Sequence, residues 1–192
     1  MNRTRLEAFS DGVIAIIITI MVLELKTPHG SQWDDLFSLW PVFLSYFLSF
    51  VNVGIFWVNH HHMMHTVKRV NGAVLWANLN LLFWLSLLPF ATGWMGEHEF
   101  TNTTVVLYSA NLLACALAHT VLHVCIVRNE GKESLLHHAV GGDLKRKASL
   151  LGHLLAVLSA IFGYTLLAGL VLVAIALAWL VPDSRIERAL KS

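Results

Sequence analysis

Apolar windows along the chain predict six membrane-spanning helices. The first is unusual, because its apolar run from Gly12 to Leu23 covers only 12 residues, whereas the core of a bilayer needs about 20. This helix must therefore draw the charged turns before Gly12 into or near the membrane, where such side chains need protein partners or water. The predicted spans are 5–26, 41–64, 71–95, 102–127, 145–163 and 166–181.

The last two predicted spans are short and close together. Together they cover only 37 residues, from 145 to 181, so we expect a tight hairpin that turns near Gly163 or Gly169. Pro41 suits the first turn of the second span, and the sixth span ends at Pro182, before a charged tail. The chain therefore reads as one six-helix domain over residues 1–192.

Composition supports a membrane protein. The chain is 56% hydrophobic and 13% charged, with a mean hydropathy of +0.64, whereas soluble domains carry about 25% charged residues. The sequence therefore predicts an all-α polytopic membrane protein in contact with lipid, with no nucleic-acid partner. Cys115 and Cys125 lie in an apolar segment and are expected to pack as buried thiols.

The basic residues indicate an orientation. With six spans, 12 of the 13 Lys and Arg residues fall on one side, and Lys26 alone falls on the other. Because cytoplasmic loops carry an excess of Lys and Arg, both termini are predicted to be cytoplasmic. The cytoplasmic set is Arg3, Arg5, Lys68, Arg69, Arg128, Lys132, Lys145, Arg146, Lys147, Arg185, Arg188 and Lys191.

The opposite face is acidic. It carries five carboxylates against one lysine, and such a surface concentrates cations. Acidic outer loops are also common without any function, because acidic residues contribute little to topology. The predicted outer vestibule consists of Glu24, Asp34, Asp35, Glu97 and Glu99.

One face of the first helix has a distinct composition. At about 100° per residue this face carries small, bulky apolar and hydroxyl side chains, and no charge in its central turns. It is either a packing seam or the wall of a pore with hydrophobic constrictions; periodicity alone leaves both open. Ser10 and Asp11 point towards neighbouring helices. The face consists of Arg5, Phe9, Gly12, Ile16, Thr19, Ile20 and Leu23.

Histidines form a second signal. The second span closes with His60, His61, His62 and His65, and the fourth carries His119 and His123 at a spacing that can share a metal. A secondary transporter or divalent-metal permease using these side chains is therefore the alternative function. The simpler interpretation is that these imidazoles hydrogen-bond nearby polar groups, since no HExxH or CxxC motif accompanies them.

Other functional classes lack support. The chain has no TVGYG carbonyl filter, no Arg-rich voltage-sensor helix, no Walker motif and no Ser/His/Asp set with recognisable spacing. We therefore expect no enzymatic activity. A structural membrane scaffold without transport remains a third hypothesis.

Three patterns resemble a known channel family. Residues Arg5 to Asp11 form an RxxxFSD motif, and Trp57 to His60 form a WxxH motif. A third pattern combines Leu75-Trp-Ala-Asn78 with Leu88-Pro-Phe90. In this order they are similar to the transmembrane-protein-175 family, the endosomal and lysosomal potassium channels and their bacterial homologues. The motif residues include Phe9 and Trp57.

The resemblance implies a single-repeat bacterial form, a homotetramer in the plasma (inner) membrane with the first helix of each subunit lining the pore. It implies apolar constriction rings at Ile16 and Leu23, with Ile20 as a secondary candidate, and a role for Thr19 in potassium preference. It implies no cofactor, and K⁺ and other monovalent cations as permeant ions. It also implies a polar network of Arg5, Ser10, Asp11, His60 and Asn78.

Overall fold

The structure, a computed structural model, describes residues 2–131 and 144–180 of the chain. These residues form helices joined by short connections, with no strand among them, which confirms the all-α prediction. The helices are α1 (Arg3–Leu23), α2 (Trp33–Phe37), α3 (Trp40–His65), α4 (Gly72–Ser86), α5 (Leu88–Glu97), α6 (Asn102–Glu130), α7 (Leu144–Ile161) and α8 (Thr165–Leu180).

The first four predicted spans correspond to four stretches that are long and apolar enough to cross a membrane. These are α1, α3, the α4–α5 pair taken together over Gly72–Glu97, and α6. The fifth and sixth predicted spans correspond to α7 and α8, and α8 is an apolar helix of 16 residues. The predicted end of the sixth span at Pro182 lies outside the described residues.

The third predicted span, 71–95, corresponds to two consecutive helices. It breaks at Leu87, between α4 and α5. Pro89 explains the break, because proline has no N–H to donate to the carbonyl four residues earlier and its ring collides with that carbonyl. The first helix also differs from its predicted range of 5–26: it begins at Arg3 and ends at Leu23.

Local sequence accounts for several helix ends. The Asn2 side chain accepts a hydrogen bond from the backbone N–H of Thr4, and the Asn71 side chain accepts one from Val74 (2.9 Å), so both asparagines act as N-caps. The hairpin between α7 and α8 turns at Gly163, which has a φ of 86°, a backbone conformation that glycine adopts without penalty. The turn therefore lies at Gly163 rather than at Gly169.

Described basic residues gather at one end of the bundle. There the Arg3 guanidinium donates to the carbonyl of His65 (3.2 Å), and the Asn129 amide donates to the carbonyl of Arg69 (2.6 Å). The Lys145 ammonium lies 4.4 Å from the centre of the Trp179 ring. We call this the basic end. Lys26, the exception in sequence, lies at the opposite end.

The position of α1 in the bundle decides which of its faces is free. It packs against α3, α4 and α5, while α6 lies deeper and contacts α4, α5, α7 and α8. These neighbours cover one side of α1, the side that carries the buried residues Leu6, Ser10, Ile14, Ile17 and Met21. The other side remains exposed in the single chain.

Close packing of α3 against α5 generates a stability prediction. A Cβ added at Gly96 would meet Ser45 Oγ and would lie 2.9 Å from the Cα of Val42. Since backbone cannot move aside easily, Gly96→Ala should destabilise the protein by about 1–3 kcal/mol. The measurement is the thermal unfolding midpoint of the purified protein in detergent. Gly72→Ala is the control, because a Cβ there meets nothing within 4 Å; an equal loss in both variants would contradict the packing argument.

Candidate pore helix and its polar anchor

The exposed side of α1 carries the side chains that the sequence proposed as pore-lining. Ile16, Ile20 and Leu23 are exposed by 57%, 42% and 78% in the single chain. Thr19 and Gly12 are exposed beside them. Ile14, Ile17 and Met21 are buried on the opposite side. The helix α1 therefore has one buried side and one exposed side, and the exposed side is mostly apolar.

A chain of buried hydrogen bonds holds the covered side of α1. The Asn78 side-chain N–H donates to Ser10 Oγ (2.9 Å), and Ser10 Oγ donates to the carbonyl of Leu6 (2.9 Å). His60 Nε2 lies 2.7 Å from Asn78 Oδ1. All three polar side chains are fully buried, so three helices, α1, α3 and α4, are joined at one point. We call Ser10, His60 and Asn78 the polar anchor.

The hydrogen bonds of the polar anchor all run in one order from donor to acceptor. An amide oxygen only accepts hydrogen bonds, so His60 must donate from Nε2 to Asn78. Asn78 then donates to Ser10, and Ser10 donates to the backbone of its own helix. Of the three consecutive histidines, His60 is the one that contacts Asn78. A neutral imidazole with its proton on Nε2 fits this arrangement, while its Nδ1 is buried without a hydrogen-bond partner among the described residues. Pairing Nε2 with Asn78 offsets part of the cost of burying the ring.

The remaining motif residues lie around this anchor. Trp57 Nε1 donates to the Asp11 carboxylate (3.0 Å), which adds a second polar contact between α3 and α1. Arg5 and Phe9 are exposed on the free side of α1. Within the described residues the Arg5 side chain makes no hydrogen bond or ion pair, so one chain alone does not join it to the anchor.

Thr19 makes its own local contact. Its hydroxyl donates to the carbonyl of Ile16, one turn earlier, at 2.9 Å. The hydroxyl proton is thereby used within the helix, and the oxygen lone pairs stay available on the exposed side. An exposed hydroxyl oxygen is a hard ligand of the kind that alkali cations accept.

The end of the bundle opposite the basic end carries the predicted vestibule residues. Glu24 caps the C-terminus of α1 and is exposed. Lys26 forms an ion pair with Glu97, and this hydrogen bond, together with the carboxylate charge, raises the pKa of the Lys26 ammonium. Lys26 therefore neutralises the charge of Glu97, and the remaining carboxylates of the predicted vestibule keep this end acidic.

An open cleft runs along α1 towards this end. Its volume is about 540 Å³, and α1 and α5 form its walls. Ile16 and Ile20 lie on one wall, Phe90 and Trp94 on the other, and Glu24 and Glu97 at its acidic end. The free face of α1 is therefore accessible along its length in the single chain.

The histidines of the alternative function do not come together as one site. His119 lines a cavity between α3, α6, α7 and α8. The one place where three potential metal-ligand side chains meet among residues 2–131 and 144–180 includes neither His119 nor His123. That cluster contains His61 and His65 with Glu7, a residue that sequence reasoning missed because an isolated acidic side chain carries no spacing signal.

Sequence reasoning also missed a second buried polar contact. Thr92 on α5 donates to Ser49 Oγ on α3 (2.7 Å), and Ser49 lies 2.9 Å from the Tyr108 hydroxyl on α6. Hydroxyl side chains within spans are the available signal, since they need partners inside a bundle. This contact joins α3, α5 and α6.

Comparison with known proteins shows which proteins the chain resembles. It is 50% identical over 191 residues to a potassium channel of Chryseobacterium sp. (strain P1-3), covering 100% of this chain and 99% of that protein. The model of the family described as endosomal/lysosomal potassium channel TMEM175 matches residues 5–89. The chain belongs to the TMEM175 family. The resemblance inferred from the three motifs is thereby confirmed.

Other TMEM175 relatives extend the comparison. The fold is similar to the crystal structure of a lysosomal potassium-selective channel TMEM175 homolog from Chamaesiphon minutus. The TM-score is 0.80 at 28% identity, over 94% of this chain and 97% of that one. The human endosomal/lysosomal proton channel TMEM175 is 33% identical over 103 residues, 47% of this chain and 20% of that protein. The chain thus spans about a fifth of that vertebrate relative.

The match to the TMEM175 family model covers the polar anchor. Residues 5–89 contain α1, α3 and α4, the helices that supply Ser10, His60 and Asn78. The matched segment also contains the whole exposed face of α1. The helices α6, α7 and α8 lie outside that match.

The polar anchor predicts a specific stability loss. Replacing Asn78 with Leu leaves His60 and Ser10 buried without their partner, which should cost about 1–3 kcal/mol. The measurement is thermal unfolding in detergent, with size-exclusion chromatography to follow the oligomer. Asn80→Leu is the matched control, because Asn80 is exposed on the same helix and should change stability by less than about 0.5 kcal/mol. An Asn78 variant as stable as the control would contradict the anchor.

Proposed function

We propose that the chain forms a potassium channel in which α1 of each of four subunits lines a central pore. The main observation in support of this proposal is that α1 has two distinct sides. One side is held by the polar anchor, and the other presents Ile16, Thr19 and Leu23 on an exposed face. The names of the relatives support this proposal, since the Chryseobacterium and Chamaesiphon proteins are named as potassium channels.

The subunit in this proposal has six membrane spans, with both termini in the cytoplasm of a bacterium and the protein in its plasma (inner) membrane. The gathering of described basic residues at one end of the bundle supports that orientation, because Lys and Arg are retained on the cytoplasmic side. The acidic end with Glu24 and Glu97 then faces outwards. Its carboxylates attract cations to the mouth of the pore.

Apolar rings at Ile16 and Leu23 would control permeation by their effect on ion hydration. A cation passing such a ring loses part of its water shell, and an apolar ring returns no compensating contacts. The loss costs more for sodium, which is more strongly hydrated, than for potassium. Selectivity should therefore be moderate in comparison with a filter of carbonyl oxygens, which replaces the hydration shell.

Thr19 would supply the polar contact between these rings. Its hydroxyl proton is already donated to the carbonyl of Ile16, so the hydroxyl would turn its oxygen lone pairs, and not its proton, towards a partly dehydrated cation. In a tetramer four such oxygens would surround the axis. The position of Thr19, one turn before Leu23 on the exposed face, supports this role.

The direct test is ion flux through purified protein reconstituted in liposomes, driven by K⁺, Na⁺ or H⁺ gradients. We expect K⁺ flux above Na⁺ flux, because the apolar rings penalise Na⁺ more. Ile16→Asn should raise the rate or relax the preference, since an amide hydrates the constriction. Because the vertebrate relatives are named proton channels, proton flux is recorded in parallel. Proton flux without K⁺ flux, or no flux at all, would refute the proposal.

Replacing Thr19 tests the polar contact by itself. Thr19→Val removes the hydroxyl and keeps the shape, so the K⁺/Na⁺ flux ratio should fall. A contact of about 1 kcal/mol corresponds to about a fivefold change in that ratio. Thr19→Ser keeps the hydroxyl and serves as the matched control, with a ratio near that of the wild type. Equal ratios in all three proteins would remove Thr19 from the selectivity mechanism.

A further inference from the structure

At the basic end, α1 and α3 are joined by a group of side chains that the proposed permeation path does not use. Glu7 on α1 faces His61 and His65, which are one turn apart on α3. Their potential ligand atoms, one carboxylate oxygen and two ring nitrogens, all lie within 4.8 Å of one another. Two imidazoles and a carboxylate form a ligand set typical of zinc and similar divalent metals.

The distances fit a metal better than they fit ordinary hydrogen bonds. Glu7 Oε1 lies 3.3 Å from His61 Nδ1 and 3.5 Å from His65 Nε2. An N–H···O hydrogen bond is about 2.7–3.2 Å long. A tetrahedral zinc with bonds of about 2.1 Å separates its ligands by about 3.4 Å. Both observed separations are close to that edge length.

Neighbouring contacts position the carboxylate and one imidazole. Arg3 Nε lies 3.9 Å from Glu7 Oε2, the oxygen that does not face the histidines. The same guanidinium donates to the carbonyl of His65. Trp57, which donates to Asp11, has its ring centre 6.0 Å from that of His61 in a stacked arrangement. Such contacts orient metal ligands before the metal arrives.

Exposure leaves room for a further ligand. The Glu7 side chain is only 14% exposed, whereas those of His61 and His65 are about 40% exposed. Three protein ligands on the inner side and solvent on the outer side match the arrangement in which water completes a four-coordinate zinc. The histidine nitrogens disfavour K⁺, Mg²⁺ and Ca²⁺, which prefer oxygen ligands.

We propose that Glu7, His61 and His65 bind a divalent metal of the zinc type and thereby fasten the basic end of α1 to α3. This site is separate from the exposed face of α1 that would line the pore. A metal bound there is held by two packed helices of one subunit, so it is not a permeating ion. The competing interpretation is a plain ion pair between Glu7 and protonated histidines, with no metal.

Titration of the purified full-length protein distinguishes the two. After treatment with a chelator, the protein is titrated with Zn²⁺ by calorimetry and with Co²⁺ by visible absorption, which reports tetrahedral nitrogen and oxygen ligands. We expect one site per chain and a rise in the thermal unfolding midpoint when Zn²⁺ is added, because a ligand that binds only the folded state stabilises it.

Variants assign the site to these side chains. The double variant His61→Ala/His65→Ala and the single variant Glu7→Gln should each weaken Zn²⁺ binding by at least about tenfold and lose the metal-dependent rise in the unfolding midpoint. His62→Ala is the matched control, because it removes one histidine from the same turn and should keep wild-type affinity. Size-exclusion chromatography without metal checks that each variant forms the wild-type oligomer.

Three outcomes would overturn the proposal. They are no Zn²⁺ binding by the wild type up to about 100 µM, which is a weak affinity for three protein ligands; unchanged binding in both the double and the Glu7 variants; and loss of binding in His62→Ala alone. If the double variant fails to form the oligomer, Glu7→Gln decides. Potassium flux measured on the same preparations is independent of these results, so the channel proposal and the metal site can fail separately.

Discussion

The buried hydrogen-bond chain from His60 through Asn78 to Ser10 is the interaction on which the arrangement of α1 depends. It joins three helices at a point where water cannot substitute for a missing partner. Each group donates to the next, and the chain ends on the backbone of α1 at Leu6. Because the contact is directional, it constrains the rotation of α1 about its own axis. Apolar packing alone would constrain that rotation less tightly.

That rotation determines what α1 can do. With Ser10 turned inwards, Ile14, Ile17 and Met21 are buried with it, and the side chains between them are turned outwards. A rotation of one residue, about 100°, would bury part of the exposed face and bring charged side chains against apolar neighbours. The contacts of Trp57 with Asp11, and of His61 and His65 with Glu7, repeat the same constraint towards the basic end. Polar contacts with α3 therefore recur over the first three turns of α1.

This arrangement also explains how a helix with a short apolar run can serve as a membrane span. The two acidic residues of its first turns are not left to lipid, since Glu7 and Asp11 both have polar partners on α3. Beyond Asp11 the helix needs no such partners. Towards the opposite end of the bundle, hydrogen bonds among Ser49, Thr92 and Tyr108 join α3, α5 and α6. Polar contacts thus stabilise the bundle near both ends, with apolar packing between them.

Sequence alone was enough to predict the helical class, the approximate spans, the asymmetry of basic residues and the channel family. These properties depend on local hydropathy, charge counts and short motifs, which the chain displays directly. Several features required the tertiary structure: the break at Leu87, the turn at Gly163, the pairing of Lys26 with Glu97 and the meeting of Glu7 with His61 and His65. Pro89 and the glycines Gly163 and Gly169 indicate a break and a turn from sequence, but the residue at which each falls depends on how the helices pack. The two side-chain contacts join residues 71 and more than 50 positions apart, and only packing of the helices brings such residues within reach of one another.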